Sequence, residues 1–504
     1  MTLHGDRAGG RARRDLVIEV GAVLAVVCTV AAYWAVCSVL IHRSFHSNGW
    51  DLGLIDQVIW NSAHGRWFHY SFRDISFAGD HWEPFLLALV PLKWAHTGPE
   101  ALLVVQAIVL AAAALPLYAA MRAMAGRGAA CAVTGAYVLG LGPARVVSFD
   151  FHIEAFAPLF AFVALWALAT RRHMVCVAAV LLILTLKEDG ALLALSLCWI
   201  AWLAFGQRWW VVALAAVCIG YAFVATSLII PHFRGGDLNP FVERYGYLGD
   251  SPLAVIRGCF AHPVVVWSQL TRRDAIEGAL LVLAGAAFLP LMKPRLLPPL
   301  AVVTVLPLLS KEAPQGSLDL HYLLVPSMVA LLIAAVAMRD RPWERGRAAA
   351  MARAFARAAP VALVVVPLLL FAWRSPLPPS FAAERDRFDV DAHARLSAEF
   401  VRAVPPGAIV SAQSPFVAHL AERRKVYVFP RLLDAEYVLL DEYGPIPAED
   451  VAGGYDVCRA ALPRLGFDDV RSEDGISLWR KVRPAESAPN VPLSCSGQHP
   501  RGSS

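Results

Sequence analysis

Long apolar runs alternate with short polar turns over the first three quarters of the chain, and the pattern then changes. A helix that crosses a bilayer needs about 20 apolar residues. Eleven stretches approach that length: 17–40, 100–121, 129–146, 155–170, 174–187, 190–206, 209–230, 275–292, 296–310, 322–338 and 357–373. They predict a mainly α, polytopic helical membrane protein. Between the first and second runs, residues 42–96 are too polar to cross and too aromatic for an ordinary loop. After Asp51, the positions of Ile55, Val58, Ile59 and Ser62 share one helical face, and Gly65 ends the pattern. A second short amphipathic piece follows at 84–94. Both are expected to lie on the membrane surface, with Trp50, Trp60, Trp67 and Trp82 as an interfacial belt.

Past Arg374 the prolines 376, 378 and 379 make a linker. A helix is expected at 392–404, then strands at 408–411, 425–429, 437–441 and 477–481, with helices at 415–421 and 457–465. This is the pattern of a small α/β domain. The expected division is therefore a transmembrane domain at 1–373, an α/β domain at 374–484 and a disordered tail at 485–504.

The composition, 58% hydrophobic and 17% charged, agrees with a membrane protein. The net charge of +5 does not point to nucleic acid, because Lys and Arg collect at the ends of apolar runs. Their distribution instead predicts orientation. Arg7, Arg11, Arg13 and Arg14 precede the first run, and Arg122, Arg127, Arg171, Arg172, Arg208, Lys293 and Arg295 occupy alternate turns. Residues 339–357 add six arginines. The expected protein is a multi-pass protein of the plasma membrane. Its N-terminus is cytoplasmic and its C-terminal domain extracytoplasmic. The first run, long and without a small-residue cleavage site, is expected to be retained. Six cysteines lie inside apolar runs as small core residues. Cys458 and Cys495 either pair in an oxidising compartment or stay free thiols.

On this topology the turns rich in acidic and aromatic residues share the outer face. Asp51 reads equally as a helix cap or as a catalytic carboxylate. Asp56 lies five residues on, about 140° round the helix from it. Asp150, His152 and Glu154 alternate in Phe149-Asp150-Phe151-His152-Ile153-Glu154 and would share one face if extended. Such a face suits a divalent cation, Mg or Mn, with Asp150 and Glu154 as ligands. Lys187-Glu188-Asp189 puts three charges between two apolar runs. It is either a solvated hairpin tip or a place where Lys187 meets a lipid phosphate. The 231–273 loop adds Arg234 and Tyr245, and His321-Tyr322 stand at the start of the tenth run. No phosphate-binding loop, hydrolase elbow, zinc-protease or dinucleotide motif is present.

Several of these motifs occur in a familiar order: Asp51, Gln57, Trp60 and Gly65; Gly79-Asp80-His81-Trp82-Glu83-Pro84; the Phe149–Glu154 hexapeptide; Lys187-Glu188-Asp189; and Tyr245-Gly246-Tyr247-Leu248-Gly249. Together with Ala435-Glu436-Tyr437-Val438-Leu439-Leu440-Asp441, they resemble the family of predicted membrane proteins called domain of unknown function 2079. That family in turn resembles the GT-C superfamily of polytopic glycosyltransferases. The resemblance implies an acidic active-site residue on a short surface helix in the first outer loop, the place of Asp51, and a Lys near the donor phosphate, the place of Lys187. Where those enzymes carry a second acidic residue directly after the first, this chain has Leu52.

The function this implies is an inverting transfer of sugar from a polyprenyl-phosphate donor on the outer face. Asp51 would be the catalytic base. Asp56, His81, Glu83, His152, Lys187, Glu188, Arg234, Tyr245, His321 and Tyr322 would bind substrate. The partners implied are the lipid-linked sugar and membrane lipids, with no nucleic acid. The alternative is a transporter or flippase of a lipid-linked sugar.

Overall fold

Backbone N–H and C=O groups find no partner in hydrocarbon, so an apolar chain there must satisfy them within its own helices. All eleven apolar stretches are helical over most of their length. The computed structural model describes residues 3–235, 240–341, 349–444 and 454–484, together with Cys495. The expected disorder of 485–504 lies, Cys495 apart, outside these residues.

Among the described residues, six helices are long and apolar enough to cross a membrane: Val17–Arg43, Glu100–Ala125, Arg127–Ser148, Trp209–Phe233, Ala313–Asp340 and Arg357–Arg374. Shorter apolar helices, Ile153–Ala169, His173–Leu184, Gly190–Phe205 and Pro294–Leu308, account for four more of the predicted runs. Ala313–Asp340 is the central helix, 72% buried over its most apolar window, against 22% for Trp209–Phe233 and 17% for Arg357–Arg374. The amphipathic piece expected at 252–260 is present, with a bend that was not expected. Pro252–Ala261 continues, through a 93° bend, into Pro263–Leu270. Pro263 has no N–H to carry the first helix onward, so the chain restarts in a new direction.

The C-terminal region forms a five-stranded sheet from β1 (Val410–Ala412), β2 (Val426–Val428), β3 (Tyr437–Asp441), β4 (Phe467–Glu473) and β5 (Ile476–Lys481). The spatial order is β2-β1-β3-β5-β4. β1 runs parallel to both β2 and β3, and β5 runs antiparallel to β3 and β4. Helices Ala392–Ala403, Ser414–Leu420 and Tyr455–Ala461 complete it. β4 was missed in the sequence because it is an edge strand, mostly exposed and without apolar alternation. Its signal is the turn that follows. Asp474 (φ 48°) and Gly475 (φ 78°) both sit in the left-handed region that a two-residue hairpin turn demands. Cys458 and Cys495 are joined as a disulfide.

This sheet does not hang free. Helix Ser414–Leu420 lies directly on the loop between the first two spans, which begins with a wide π-helical turn, Gly49–Gly53, and continues as helix Leu54–Ala63. A Cβ on Gly49 would stand 2.9 Å from the Ser414 carbonyl and from Val417 Cβ, and one on Gly53 would stand 3.2 Å from Ala418. Two glycines one turn apart thus let two backbones meet. Ser414 Oγ donates to Asn48 Oδ1 (2.7 Å) and accepts from the Gly49 N–H (2.9 Å). Gln57 donates to the Arg423 carbonyl, and Ser71 Oγ bonds both backbone groups of Val426.

The same interface buries a charge. The Lys93 side chain, 1% exposed, is ion-paired to Asp56 and to Glu422 (2.6 Å). Burial works against the ammonium, but the two carboxylates outweigh it and hold the Lys93 pKa above its usual value. Lys93→Met leaves the fully buried Asp56 without a counter-charge. The expected loss of stability is about 3–5 kcal/mol, measured by denaturation of the detergent-solubilised protein. The double variant Asp56→Leu/Lys93→Met should recover most of it. Equal stability of Lys93→Met and parent would remove the pair from the account of the interface.

Candidate functional site

Asn48, and not Asp51, caps the helical turn that opens this loop. Its Oδ1 accepts from the Trp50 N–H at 2.8 Å. Asp51 therefore sits inside the first turn with its carboxylate free of capping, 26% exposed, and facing His152 Nε2 at 3.5 Å. Asp56 turns away. It is 0% exposed and spent on Lys93, so the expectation that it binds substrate is not met. The physical reason is the helical rotation between the two acids, which sends one to the cluster and the other into the packed interface.

His152 comes from the extended turn between helix Leu141–Ser148 and the short 3-10 turn Ile153–Phe156. Its neighbours go to separate partners and do not converge on one ion. Asp150 Oδ2 accepts from the Asn48 N–H at 2.8 Å, and its other oxygen is buried with no hydrogen-bond partner. Glu154 binds the Lys187 ammonium at 2.7 Å. Among the described residues no three His, Cys, Asp or Glu side chains are grouped to hold a metal ion. Asp150 and Glu154 thus do not form the expected Mg or Mn site by themselves.

Gln106 holds this turn in place. Its Nε2 donates to the Asp150 carbonyl (3.1 Å), and its Oε1 accepts from the His152 N–H (2.8 Å). Sequence reasoning missed it. The available signal was a lone polar side chain inside an apolar run, which a bilayer tolerates only where it is satisfied.

Around His152 the rings stack. His321 lies 3.8 Å from it centre to centre, Tyr322 lies 4.0 Å from His321, and Phe149 flanks both histidines. Lys187 closes the next layer, with Glu83 Oε1 3.9 Å from its ammonium. Lys187 therefore pairs with carboxylates remote in sequence, and not within its own hairpin tip. Glu188 instead bonds His81 (2.8 Å) and the Trp82 N–H (3.0 Å). Tyr245 accepts from Gln315, which in turn accepts from Arg244. Arg234 does not join. It pairs with Asp80 at 3.1 Å on a different wall of the outer loop.

The protonation of this cluster follows from burial and neighbours. Burial, and then the charge of Asp51, push the Asp150 carboxyl up to about 7. Burial would lower His152, but the Asp51 carboxylate raises it above its usual value. Since Nδ1 lies 3.3 Å from the Asp150 carbonyl, an imidazolium can offer one N–H to that oxygen and the other to Asp51. Burial raises Glu83 well above the carboxylate range, against the pull of Lys187 and with the help of Glu154 and Glu188. Glu154 is buried too, yet Lys187 and the two histidines hold it below that range.

A family model described as a predicted membrane protein, DUF2079, matches residues 41–449 of the 504. No curated protein matches the chain in sequence. Among solved structures, ArnT from Cupriavidus metallidurans bound to undecaprenyl phosphate is similar at 15% identity, over 92% of this chain and 98% of that one, with a TM-score of 0.49. The same enzyme in the apo state gives 15% identity, 91% and 98% coverage, and 0.45. The archaeal oligosaccharyltransferase AglB from Archaeoglobus fulgidus, in complex with an inhibitory peptide and a dolichol-phosphate, gives 13%, 91%, 74% and 0.40. At such identities no residue role is carried across.

The shift at Asp150 has a measurable sign. Because the folded protein holds this proton more tightly than the unfolded chain, the contribution is full below pH 3.8 and is lost as pH rises to about 7. Its ceiling is about 4 kcal/mol. Asp150→Asn, which mimics the protonated acid and keeps an acceptor for Asn48, should flatten that part of the stability–pH curve. Denaturation of parent and variant at pH 4, 5.5 and 7 on the order of those values checks it. Parallel curves would mean that Asp150 is ionised throughout.

Proposed function

The chain belongs to the DUF2079 family of predicted membrane proteins, and we propose that it is a membrane glycosyltransferase of the GT-C type that uses a polyprenyl-phosphate-linked sugar. The observation that carries the reading is Asp51. It is 26% exposed, free of capping, and faces His152 Nε2 at 3.5 Å, whose pKa it raises. It stands where a surface helix meets the ends of membrane helices, within reach of both a lipid headgroup and a water-borne acceptor.

In the proposed reaction Asp51 accepts the proton of an acceptor hydroxyl. The acceptor oxygen forms a bond to the anomeric carbon from the face opposite the leaving group. The bond from that carbon to the lipid phosphate oxygen breaks, and the phosphate leaves with the electron pair as polyprenyl phosphate. Inversion follows from the single displacement. Lys187, with the neutral Glu83 beside it as a hydrogen-bond donor, offsets the charge gained by the leaving phosphate. His321 and Tyr322 wall the site and exclude water.

The test uses purified protein in nanodiscs with a lipid extract from the source membrane, scored by mass spectrometry for polyprenyl phosphate released. Asn48 does the capping, so Asp51→Asn should leave stability unchanged. Loss of a general base typically costs about 10²–10⁴-fold in rate, and release should fall by that factor while lipid binding persists. Lys187→Met should weaken lipid binding instead. Full activity of Asp51→Asn would end the reading.

The outward placement of the C-terminal sheet is part of the same proposal, and the Cys458–Cys495 disulfide supports it. Ser411 is fully buried, but Val470 on β4 is 57% exposed and gives a usable label position. A Val470→Cys protein in intact cells should react with a membrane-impermeant maleimide. Reaction only after cell disruption would reverse the topology.

A further inference from the structure

The cluster at Asp51 leaves Arg234 unused, and Arg234 leads to a second site. The far part of the first outer loop, the end of helix Ile230–Phe233 and strand β2 enclose a cavity of about 1150 Å³. That exceeds the roughly 300–1,000 Å³ of an ordinary small-molecule pocket. It opens to water, and its walls are aromatic and charged in alternation. Trp67 is 62% exposed at the cavity and Phe233 is exposed beside it, while Tyr70 and Tyr427 are buried in its wall. An exposed indole on a wall of charges is not packing anything within the fold.

The charges are organised. Asp80, almost fully buried, accepts from the Arg73 guanidinium (2.9 Å), the Arg234 guanidinium (3.1 Å) and the Tyr70 hydroxyl. Two cations thus share one carboxylate. Lys425 is matched by Asp434, and Arg431 by Asp74. Among the described residues the pairing therefore leaves one guanidinium charge in excess at the wall. Arg234 Nε is buried with no hydrogen-bond partner. Flat aromatic faces beside fixed donors and acceptors suit sugar rings, which present C–H faces and hydroxyl edges. A cavity this long suits several rings, and the excess guanidinium favours acidic groups on them.

We propose that this cavity binds an acidic oligosaccharide, with Trp67 as its stacking platform and the Arg73–Arg234 pair as its anion contact. Calling this ligand the acceptor rests on the transferase reading above; its binding does not. The experiment is calorimetric titration of the full-length protein in nanodiscs with tetragalacturonic acid and with the neutral maltotetraose. Tetragalacturonic acid should bind saturably and more tightly than maltotetraose. Trp67→Ala should weaken it by about three- to tenfold, as should Arg73→Gln. Trp94→Ala, an equally exposed indole outside the cavity, should not. Melting temperatures equal to the parent show that the variants fold, as expected for exposed side chains. Retained binding by Asp51→Asn, together with failed transfer by the parent, would overturn the transferase and leave this site standing. Absence of saturable binding, equal affinity for the two oligosaccharides, or an equal loss in Trp94→Ala would overturn the proposal.

Discussion

The close approach of helix Ser414–Leu420 to Gly49 and Gly53 is the contact on which the Asp51 cluster is built. Without side chains at those two positions, backbone meets backbone, and Ser414 can bond Asn48 and Gly49 at once. Asn48 in turn donates to Asp150, so one short chain of bonds runs from the C-terminal sheet to the membrane turn that carries His152. Asp51 lies inside that chain. Its position relative to His152 is set by residues on three distant segments, and a Cβ at Gly49 would have to move one of them.

Charge is arranged around this frame so that little of it is left unopposed. At a membrane boundary an isolated buried charge is costly, and a buried pair is tolerated only with close partners. Asp51 and Asp150 are neighbouring acids, and burial together with the Asp51 charge raises Asp150. Glu83 and Glu154 flank one ammonium, and burial raises Glu83 while Lys187 lowers Glu154. Driving similar groups apart in this way is how they acquire different chemical roles.

The loop between the first two spans is tied together by Gln57, which bonds Ser71 from both ends of its amide. Its first half, through Asp51, meets the histidine stack, and its second half, from Trp67 to Ser76, lines the cavity beside the edge strand β2.

The sequence by itself determined the helical architecture, because the demand for about 20 apolar residues is local and leaves a visible run. It also singled out Asp51, His152, Lys187 and His321, which the fold gathers into one cluster, because polar residues between apolar runs are conspicuous. It did not determine what each would touch. Asp56 looked like a companion of Asp51 and is instead locked to Lys93 and Glu422. Arg234 looked like part of the phosphate site and stands with Asp80 on another wall. Gln106 and Asn48 looked ordinary and hold the centre together. Strand β4 was invisible because an exposed edge needs no apolar alternation. Only the tertiary structure decided these matters, since burial and pairing depend on residues far apart in the chain, and those set the cost of a charge and the place of its proton.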